Sequence, residues 1–503
     1  MTKKEISKDL IELRRRLTEM QHLRSALSLS SWDQEVYMPK GASASRAEML
    51  GYLSGEHHRK LLILDQGNLL SNLHAAEEAG RLSPKVRALV REVWRDYALA
   101  RKLPHTFVVE FADITSRAQH VWAEARQRND FAHFRPWLEK IVRLSREKAS
   151  LLGGVHSYDA LIDTFEPGMT SAELSRTFDD LKTGLIPLVT RIASNGAKKP
   201  KAPKGIFPIA EQKKILEYIN LKMGFDYARG RLDESTHPFT SGSHPSDVRI
   251  TTRYREKDLW YSIGSDIHEL GHGLYEQGLP LHEAGTPLGE AVSLGVHESQ
   301  SRFWENMVGR NIATWRFLFP LLKKHFPALK DYSVDEWYRF LHIVRPSLIR
   351  TEADEVTYNL HIILRYEMEK DLIEGRLAVK DLPSIWNSKV REYLGLTVPD
   401  DARGVLQDVH WSGGMLGYFP TYTLGNLYSA QLYEKIRNDM PDFERKLSKG
   451  DFIPIRDWLG EKIHRHGRMY SASDLMHRAT GSRLSVAPFL SYLEDKYTDI
   501  YEL

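Results

Sequence analysis

Apolar residues recur every three or four positions along most of the chain, and this spacing restricts the fold more than any other feature. It is clear in KVRALVREVWRDYALARKL (85–103) and FRPWLEKIVRLSREKASLL (134–152), where charged residues fill the other positions. Such a repeat gives a helix one apolar stripe and an opposite polar face. TSAE (170–173) resembles a helix start, with short polar residues before the first turn. The sequence therefore predicts a mainly α protein.

Length and charge indicate one large body without a nucleic-acid or membrane partner. The 503 residues include 70 basic and 67 acidic side chains, so the formal net charge is only +3. That balance creates no strong field for a polyanion. No internal repeat marks separate units. We predict a single domain over residues 1–503, large enough to enclose a cleft.

The chain contains no cysteine, which excludes disulfides and thiolate ligation of a metal. Its first residues, MTKKEISKDLIELRRRL, lack the apolar core of a secretory signal and show helical spacing instead. No apolar run is long enough to span a bilayer. We therefore expect a soluble, cytoplasmic protein.

Two segments interrupt the helical pattern. SNGAKKPKAPKGIF (194–207) predicts a loop, because Pro200 and Pro203 prevent a helix there. DVRITTRYREKDLWYSIG (247–264) alternates apolar and polar residues on both sides of the charged REKD. This alternation predicts a short β-hairpin. The expected fold is mainly α, with a small β element just before the motif HELGH.

HELGH (268–272) offers two metal ligands and a general base. Residues four apart share one helix face, so His268 and His272 can bind one ion. Glu269 follows the first histidine directly, where its carboxylate can take a proton from a water activated by zinc. The alternative is a helix turn with surface histidines, although the strand pattern before it favours the metal site.

A catalytic zinc needs a third protein ligand beyond the two histidines. The metzincin continuation is absent, because Tyr275 and Gly278 occupy the places of its glycine and third histidine. We select Glu298, inside HESQ, as the third ligand. Arg302 stands where a thermolysin-like pattern has an aspartate, which disfavours that class. The downstream carboxylates from which Glu298 is chosen are Glu290, Glu298 and Glu305.

A metal site of another functional class is also compatible with the sequence. Glu269-x-x-His272 and Glu461-x-x-His464 are two ExxH pairs, which di-iron carboxylate bundles combine with two further glutamates. That scheme gives His268 no role, and Glu461 lies in a charged stretch typical of a solvated helix face. A di-iron helical bundle is therefore the alternative prediction, and metal analysis would separate the two.

Five more motifs accompany HELGH: HPF (237–239), DVRIT (247–251), HESQ (297–300), IRTEAD (349–354) and GVLQDVHW (404–411). Together they resemble the signature set of the carboxypeptidase Taq family of zinc metallocarboxypeptidases, namely HPF, DxRxT, HExxH, HES/GQ, IRxxAD and GxxQDxHW. The resemblance implies a large helical, cleft-shaped peptidase fold like that of neurolysin and angiotensin-converting enzyme, with a small β-sheet beside the active site. It also implies one two-lobed catalytic domain and commonly a homodimer.

The resemblance further implies removal of single residues from the free C-termini of peptides, with broad preference. His268, His272 and Glu298 would then bind one Zn²⁺ per chain, for which Co²⁺ or Mn²⁺ could substitute. Glu269 would be the general base. An endopeptidase or a dipeptidyl carboxypeptidase of the same architecture remains the near alternative.

Recognition of a peptide C-terminus requires a cation, because the last residue carries a free carboxylate. Arg350 of IRTEAD is assigned to this role, since a planar guanidinium pairs with a carboxylate through two hydrogen bonds. The competing interpretation is a surface helix salt bridge between Arg350 and Asp354. Asp354 could instead orient Arg350 or a metal-binding histidine.

Asp247 and Arg249 are assigned to substrate binding, through addition of a substrate strand to the predicted hairpin. Bracing of the local fold is an equal alternative for this pair. His237, fixed by Pro238, is assigned to the substrate or the oxyanion, with a packing turn as the alternative.

GVLQDVHW and the residues after it supply the last candidates. His410 is assigned to substrate contact and Asp408 to orienting groups near the metal, unless both cap buried helices. Tyr422 is preferred to Tyr418 as the oxyanion donor, chiefly by resemblance. Both tyrosines could pack instead.

Overall fold

The computed structural model describes residues 2–154, 156–195 and 200–503, and helices dominate it. This confirms the mainly α prediction. The predicted helix start at residue 170 is also confirmed, because the Thr170 hydroxyl accepts a hydrogen bond from the Glu173 N–H at 3.2 Å. In the described residues the α-helices are α1 (Lys3–Val36), α2 (Ser43–Leu62), α3 (Leu69–Glu78), α4 (Pro84–Arg101), α5 (His105–Arg128), α6 (Phe131–Leu152), α7 (Ser157–Ile162), α8 (Ser171–Ser194), α9 (Ile209–Met223), α10 (Leu259–Gly278), α11 (Leu294–Arg302), α12 (Ile312–His325), α13 (Val334–Leu341), α14 (Tyr358–Ile373), α15 (Leu382–Leu394), α16 (Pro420–Asp439), α17 (Phe443–Ser448), α18 (Ile453–Lys462), α19 (Ala472–Thr480) and α20 (Ala487–Tyr501).

The predicted loop at 194–207 falls partly on residues 196–199, which lie outside the described residues. Ser194 is the last residue of α8, whereas residues 200–207 contain no helix or strand, as predicted. Helix α9 begins directly after Pro208. Within the described residues, no helix combines the length and the apolar character needed to cross a membrane.

A three-stranded sheet lies beside α10. Its strands are β1 (Gly230–Glu234), β2 (Thr240–His244) and β3 (Asp247–Thr252), in the order β1-β3-β2. Strand β3 pairs in parallel with β1 and antiparallel with β2. Val248 and Ile250 are fully buried, because they face α10 from the central strand. The small β element before HELGH is therefore confirmed.

The predicted hairpin, however, is wrong in its second half. Residues 259–263 form the first turns of α10 rather than a strand, and β3 makes its hairpin with β2. Asp258 decides the outcome, because its side chain accepts a hydrogen bond from the Tyr261 N–H and so caps the helix. Five alternating residues also fit the start of a helical stripe, which continues at Ile267, Leu270 and Leu274, all buried.

Addition of a substrate strand to DVRIT is also contradicted, because β3 is the central strand and both of its edges are already paired. The two edge strands are β1 and β2, and α1 lies against β2. Gln21 Nε2 donates to the Ser243 carbonyl at 2.6 Å, and the Ser28 and Ser241 hydroxyls are 2.8 Å apart.

Two hydrophobic cores support the fold. The larger contains the inward faces of α10, α11, α14 and α16, and so surrounds the HELGH helix. The smaller joins α1, α3 and α4 through residues such as Leu13, Leu70 and Leu89. A single two-lobed domain stays a prediction.

Candidate active site

The predicted metal ligands converge between α10 and α11. His268 and His272 lie one turn apart on α10, and Glu298 projects from α11 towards both. Glu298 Oε2 is 3.7 Å from His268 Nε2 and 3.4 Å from His272 Nε2. One ligand atom from each residue lies within 4.8 Å of the other two. The three side chains can therefore bind one ion.

The electrostatics of this cluster fit a divalent cation. Burial lowers the pKa of His272 to about 3, so its imidazole is neutral and keeps a free electron pair. Burial alone would raise the pKa of Glu298, but Arg302 and the two histidines hold it well below its ordinary value. A buried set of two imidazoles and one ionised carboxylate matches the ligands that zinc takes in catalytic sites.

A second layer holds these ligands in place, and sequence reasoning missed it. His268 Nδ1 lies 2.9 Å from Glu305 Oε2, so this carboxylate accepts its N–H and turns Nε2 towards the metal position. Arg302 Nε donates to Glu298 at 2.7 Å, and its Nη1 donates to Glu305 at 3.2 Å. Glu305 lies in a π-helix, Phe303–Gly309, that continues α11.

The expected general base, Glu269, is only 7% exposed. Burial raises the pKa of its carboxyl, while His268 and the Thr240 hydroxyl partly counter that effect. Thr240 Oγ1 lies 2.8 Å from Glu269 Oε2. This threonine directly follows HPF in the sequence, yet its contact with Glu269 depends on how β2 packs against α10. Sequence reasoning did not identify it.

Glycines bring the surrounding elements close to the ligands. A Cβ at Gly271 would lie 2.6 Å from the Gln300 carbonyl oxygen of α11, and one at Gly273 would lie 2.9 Å from Ile250 Cγ2 of β3. Because these two glycines have no side chain, α10 can pack closely against α11 and β3. On α16, a Cβ at Gly425 would collide with the Cγ of Glu298, and it would lie 2.7 Å from the Glu298 Cβ.

Arg350 is buried, with only 7% of its surface exposed. Its Nε donates to Asp408 Oδ1 at 2.9 Å, and its Nη1 donates to the Tyr358 hydroxyl at 3.2 Å. Asp408 also accepts from Arg365 Nε at 2.7 Å. Burial works against the charge of Arg350, but Asp408 and Tyr358 more than compensate and raise its pKa.

The competing helix bridge from Arg350 to Asp354 is wrong, because Arg350 pairs with Asp408 instead. Asp354 Oδ1 accepts from the backbone N–H groups of Val356 and Thr357, and its Oδ2 accepts from the Arg345 N–H. Its carboxylate thus holds the turn before α14 rather than Arg350 or a metal-binding histidine.

An aromatic cluster borders Arg350. His410 Nε2 lies 3.3 Å from the Tyr422 hydroxyl, and the Arg350 guanidinium lies 5.1 Å from the Tyr422 ring centre. The Tyr418 and Tyr422 ring centres are 5.3 Å apart. Burial lowers the pKa of His410 to about 4 and raises that of Tyr422, so the imidazole is neutral and the phenol protonated. The structure thus brings Arg350, His410 and Tyr422 together.

Asp247, Arg249 and His237 occupy other surroundings. Arg249 alternates with the residues of β3 that face α10, so it points to the opposite side of the sheet. There its Nε donates to Asp247 at 2.8 Å, and its guanidinium lies 4.3 Å from the Trp32 ring centre of α1. His237 is exposed in the link between β1 and β2.

The di-iron alternative is contradicted by the second ExxH pair. The Glu461 side chain is 58% exposed, whereas His464 is buried with its Nε2 2.9 Å from Gln300 Oε1. The two side chains therefore do not form a shared site with Glu269 and His272. Across the described ranges, His268, His272 and Glu298 are the one group of three or more such ligands placed to hold a metal.

Comparison with known proteins agrees with this geometry. A family model described as Carboxypeptidase Taq (M32) metallopeptidase matches residues 12–497. The chain is 40% identical over 499 residues to Carboxypeptidase 1 of Bacillus subtilis, with 99% of each chain covered. It is 41% identical over 513 residues to Thermostable carboxypeptidase 1 of Thermus thermophilus, with 100% of each covered.

Solved structures share the fold. The M32 carboxypeptidase from Deinococcus radiodurans R1 superposes with a TM-score of 0.95 at 38% identity, covering 99% of this chain and 100% of that one. The expected peptidase fold with a small sheet is therefore confirmed. The findings support the carboxypeptidase prediction over the endopeptidase and dipeptidyl alternatives. Because the family model spans nearly the whole sequence, the chain belongs to the carboxypeptidase Taq (M32) metallopeptidase family and is a metallocarboxypeptidase.

Proposed function

We propose that this chain binds one Zn²⁺ through His268, His272 and Glu298 and releases single residues from the free C-termini of peptides. The convergence of these three side chains beside a buried glutamate is the observation that carries the proposal. When bound, zinc supplies Lewis acidity, which acidifies a water and polarises a carbonyl. Co²⁺ and Mn²⁺ suit the same nitrogen and oxygen ligands, so metal analysis decides the native ion.

Glu269 acts as the general base and then as the general acid. Its carboxylate takes the proton of the attacking water and returns it to the nitrogen of the departing residue. Its buried position excludes bulk water, which would otherwise compete for that proton. Tyr422, which burial keeps protonated, donates its O–H to the oxyanion of the tetrahedral intermediate.

Arg350 binds the terminal carboxylate of the peptide. Two guanidinium groups, from Arg350 and Arg365, share the single carboxylate of Asp408, so these three side chains together carry one net positive charge. Arg350 Nε and Nη1 are engaged by Asp408 and Tyr358, and no group among the described residues occupies Nη2, which can donate to a substrate oxygen. His410 lines the same region through its contact with Tyr422. Asp408 thereby orients Arg350 and neutralises only one of the two guanidinium charges.

The remaining assignments are supported by their contacts. The packing of Arg249 on Trp32 supports a bracing role for Asp247 and Arg249, in which they hold α1 against the sheet. His237 is exposed in the link between β1 and β2, which lies outside α10. From this position its side chain can contact the substrate. Resemblance to the family supports a homodimer. The absence of cysteine fits a reducing, cytoplasmic location.

Two peptides that differ only at the C-terminus test the Arg350 role. One carries a free carboxylate and the other an amide, and the N-terminus of both is blocked. The parent enzyme should release the last residue of the free acid and leave the amide intact. Arg350→Met keeps an unbranched side chain but removes its charge, so kcat/KM for the free acid should fall by about 100-fold, since a charge-assisted hydrogen bond to the terminal carboxylate is lost.

Equal cleavage of the acid and the amide by the parent would contradict this proposal. Unchanged kcat/KM in Arg350→Met would do the same. Arg253→Met is the matched control, because Arg253 is an exposed arginine whose one side-chain hydrogen bond among the described residues runs from Nη1 to the Thr236 carbonyl. That variant should keep the parental preference for the free acid.

A further inference from the structure

Strand β2 reaches the proposed general base through a single side chain. Thr240 is the first residue of β2, and its Oγ1 lies 2.8 Å from Glu269 Oε2 and 2.9 Å from the Glu269 carbonyl oxygen. Within the described residues it is the one side-chain donor to this carboxylate. The strand that lies beside the HELGH helix therefore contacts the group that must handle the proton.

We propose that Thr240 is a positioning residue for the general base: its hydroxyl fixes one oxygen of Glu269, so that the other oxygen faces the attacking water. This inference rests on the proposed function of Glu269. It concerns how the carboxylate is held, and it adds to the site a residue that lies outside the HELGH helix.

The hydroxyl has one proton, and two acceptors are within reach. The Glu269 carbonyl already accepts the N–H of Gly273 four residues on, as α-helix geometry requires. The carboxylate must be ionised when it acts as a base, and hydrogen bonds to ionised acceptors are shorter and stronger than neutral ones. The proton therefore goes to Oε2, and the carbonyl contact is secondary.

Rigidity makes the contact useful for catalysis. Thr240 pairs with Ile250 of β3, which is fully buried against α10, so the donor sits on a paired strand rather than on a free loop. A glutamate has three side-chain torsions, and a fixed donor removes much of that freedom. A general base must lie within hydrogen-bond reach of its proton, so an error of about 1 Å in its placement slows the reaction strongly.

The competing explanation is that Thr240 only fastens the sheet to the helix. Thr252 offers a matched comparison, because it also joins the sheet to α10. Its Oγ1 lies 3.2 Å from the Ser262 carbonyl oxygen and 3.0 Å from Ser265 Oγ, near the start of the helix. Replacing Thr252 by valine removes a strand-to-helix hydrogen bond without touching Glu269.

The experiment compares Thr240→Val, Thr240→Ser and Thr252→Val in the metal-loaded enzyme. Valine keeps the shape of threonine and removes the hydroxyl, whereas serine keeps the hydroxyl. Thr240→Val should retain its metal and lower kcat by about 10- to 100-fold, with KM within about threefold, because one hydrogen bond to a charged group is lost. Thr240→Ser should keep kcat within about threefold. Thr252→Val should lower the unfolding midpoint while leaving kcat unchanged.

Four outcomes would overturn the inference. They are an unchanged kcat in Thr240→Val, an equal loss in Thr240→Ser, an equal loss in Thr252→Val, and loss of metal from Thr240→Val. If Thr240→Val does not fold, Thr240→Ala replaces it with the same expected loss of kcat. Failure of both to fold assigns the contact a purely structural role and also overturns the inference.

Failure of this inference can be separated from failure of the proposed function. Glu269→Gln tests the function by itself, because it removes the base and leaves Thr240 in place. An inactive Glu269→Gln together with a fully active Thr240→Val refutes only the positioning role. An active Glu269→Gln refutes the proposed mechanism, and the role of Thr240 with it.

Discussion

Gly425→Ala should weaken metal binding although Gly425 is not a ligand. The residue lies on α16 where this helix crosses α11, and its missing side chain leaves room for Glu298. A methyl group there would overlap the Glu298 Cγ and lie 2.7 Å from its Cβ. Both helices pack in the larger hydrophobic core, so neither can move away from the added methyl group without disturbing that packing.

The size of the effect follows from the overlap. Non-bonded carbons normally approach to about 3.5–4.0 Å, so the methyl group is about 1 Å too close. Relief of such overpacking costs about 1–3 kcal/mol. In the metal-free protein, rotation about the Glu298 Cα–Cβ bond can relieve the overlap with Cγ but not the contact with Cβ. In the metal-bound protein the Glu298 oxygen must stay within about 0.2 Å of the coordination distance, so neither is relieved by rotation. The part of the cost that arises at Cγ therefore falls on the bound state and lowers metal affinity by about 10-fold, whereas the part that arises at Cβ destabilises both states.

Competition with a fluorescent chelator measures this affinity in the parent and in Gly425→Ala. Gly460→Ala is the matched control, because Gly460 lies on α18 and a Cβ there has no neighbour within 4 Å. That variant should bind metal as the parent does. Its free energy of unfolding should be about 0.5–1 kcal/mol higher than that of the parent, because alanine favours a helix more than glycine does. Parental metal affinity in Gly425→Ala would refute the reasoning.

Two further perturbations test the groups around the ligands. Glu305→Gln removes the charged partner of His268 Nδ1 and should lower metal affinity by about 10- to 100-fold in the same chelator competition, whereas unchanged affinity would contradict its orienting role. Burial lowers the pKa of His464 from 6.5 to about 3. Below pH 6.5 the unfolded chain therefore binds a proton at His464 that the folded protein does not bind, and the free energy of unfolding falls. When the pH is lowered from 6.5 to about 5, the free energy of unfolding of metal-free His464→Gln should therefore fall by about 2 kcal/mol less than that of the parent, as measured by urea unfolding. Parallel pH curves would contradict this expectation.

The three candidate metal ligands could be predicted from the sequence because two of them are related locally. His268 and His272 are one helix turn apart, and that relation survives any tertiary arrangement. The choice of Glu298 had no such local basis. It was selected among three downstream carboxylates because it lies in the motif HESQ. The mainly α fold was predictable for the same reason as the histidines, because apolar spacing is a local property of each helix.

The parts that the sequence did not predict depend on contacts between distant residues. Thr240 meets Glu269, 29 positions away, through packing of the sheet on α10, and Arg350 meets Asp408 across 58 positions. The hairpin error has a local cause. Alternation over five residues fits a strand as well as the first turns of an amphipathic helix, and the cap at Asp258 decides between them.

Glu269→Gln gives the most direct test of the central claim, that three side chains hold the metal while a separate carboxylate moves the proton. Glutamine keeps the shape of the residue and cannot act as a base. We predict one metal ion per chain in both proteins, release of single C-terminal residues from a free-acid peptide by the parent, and no detectable release by the variant. Full activity in Glu269→Gln, or loss of its metal, would show that this division of roles is wrong.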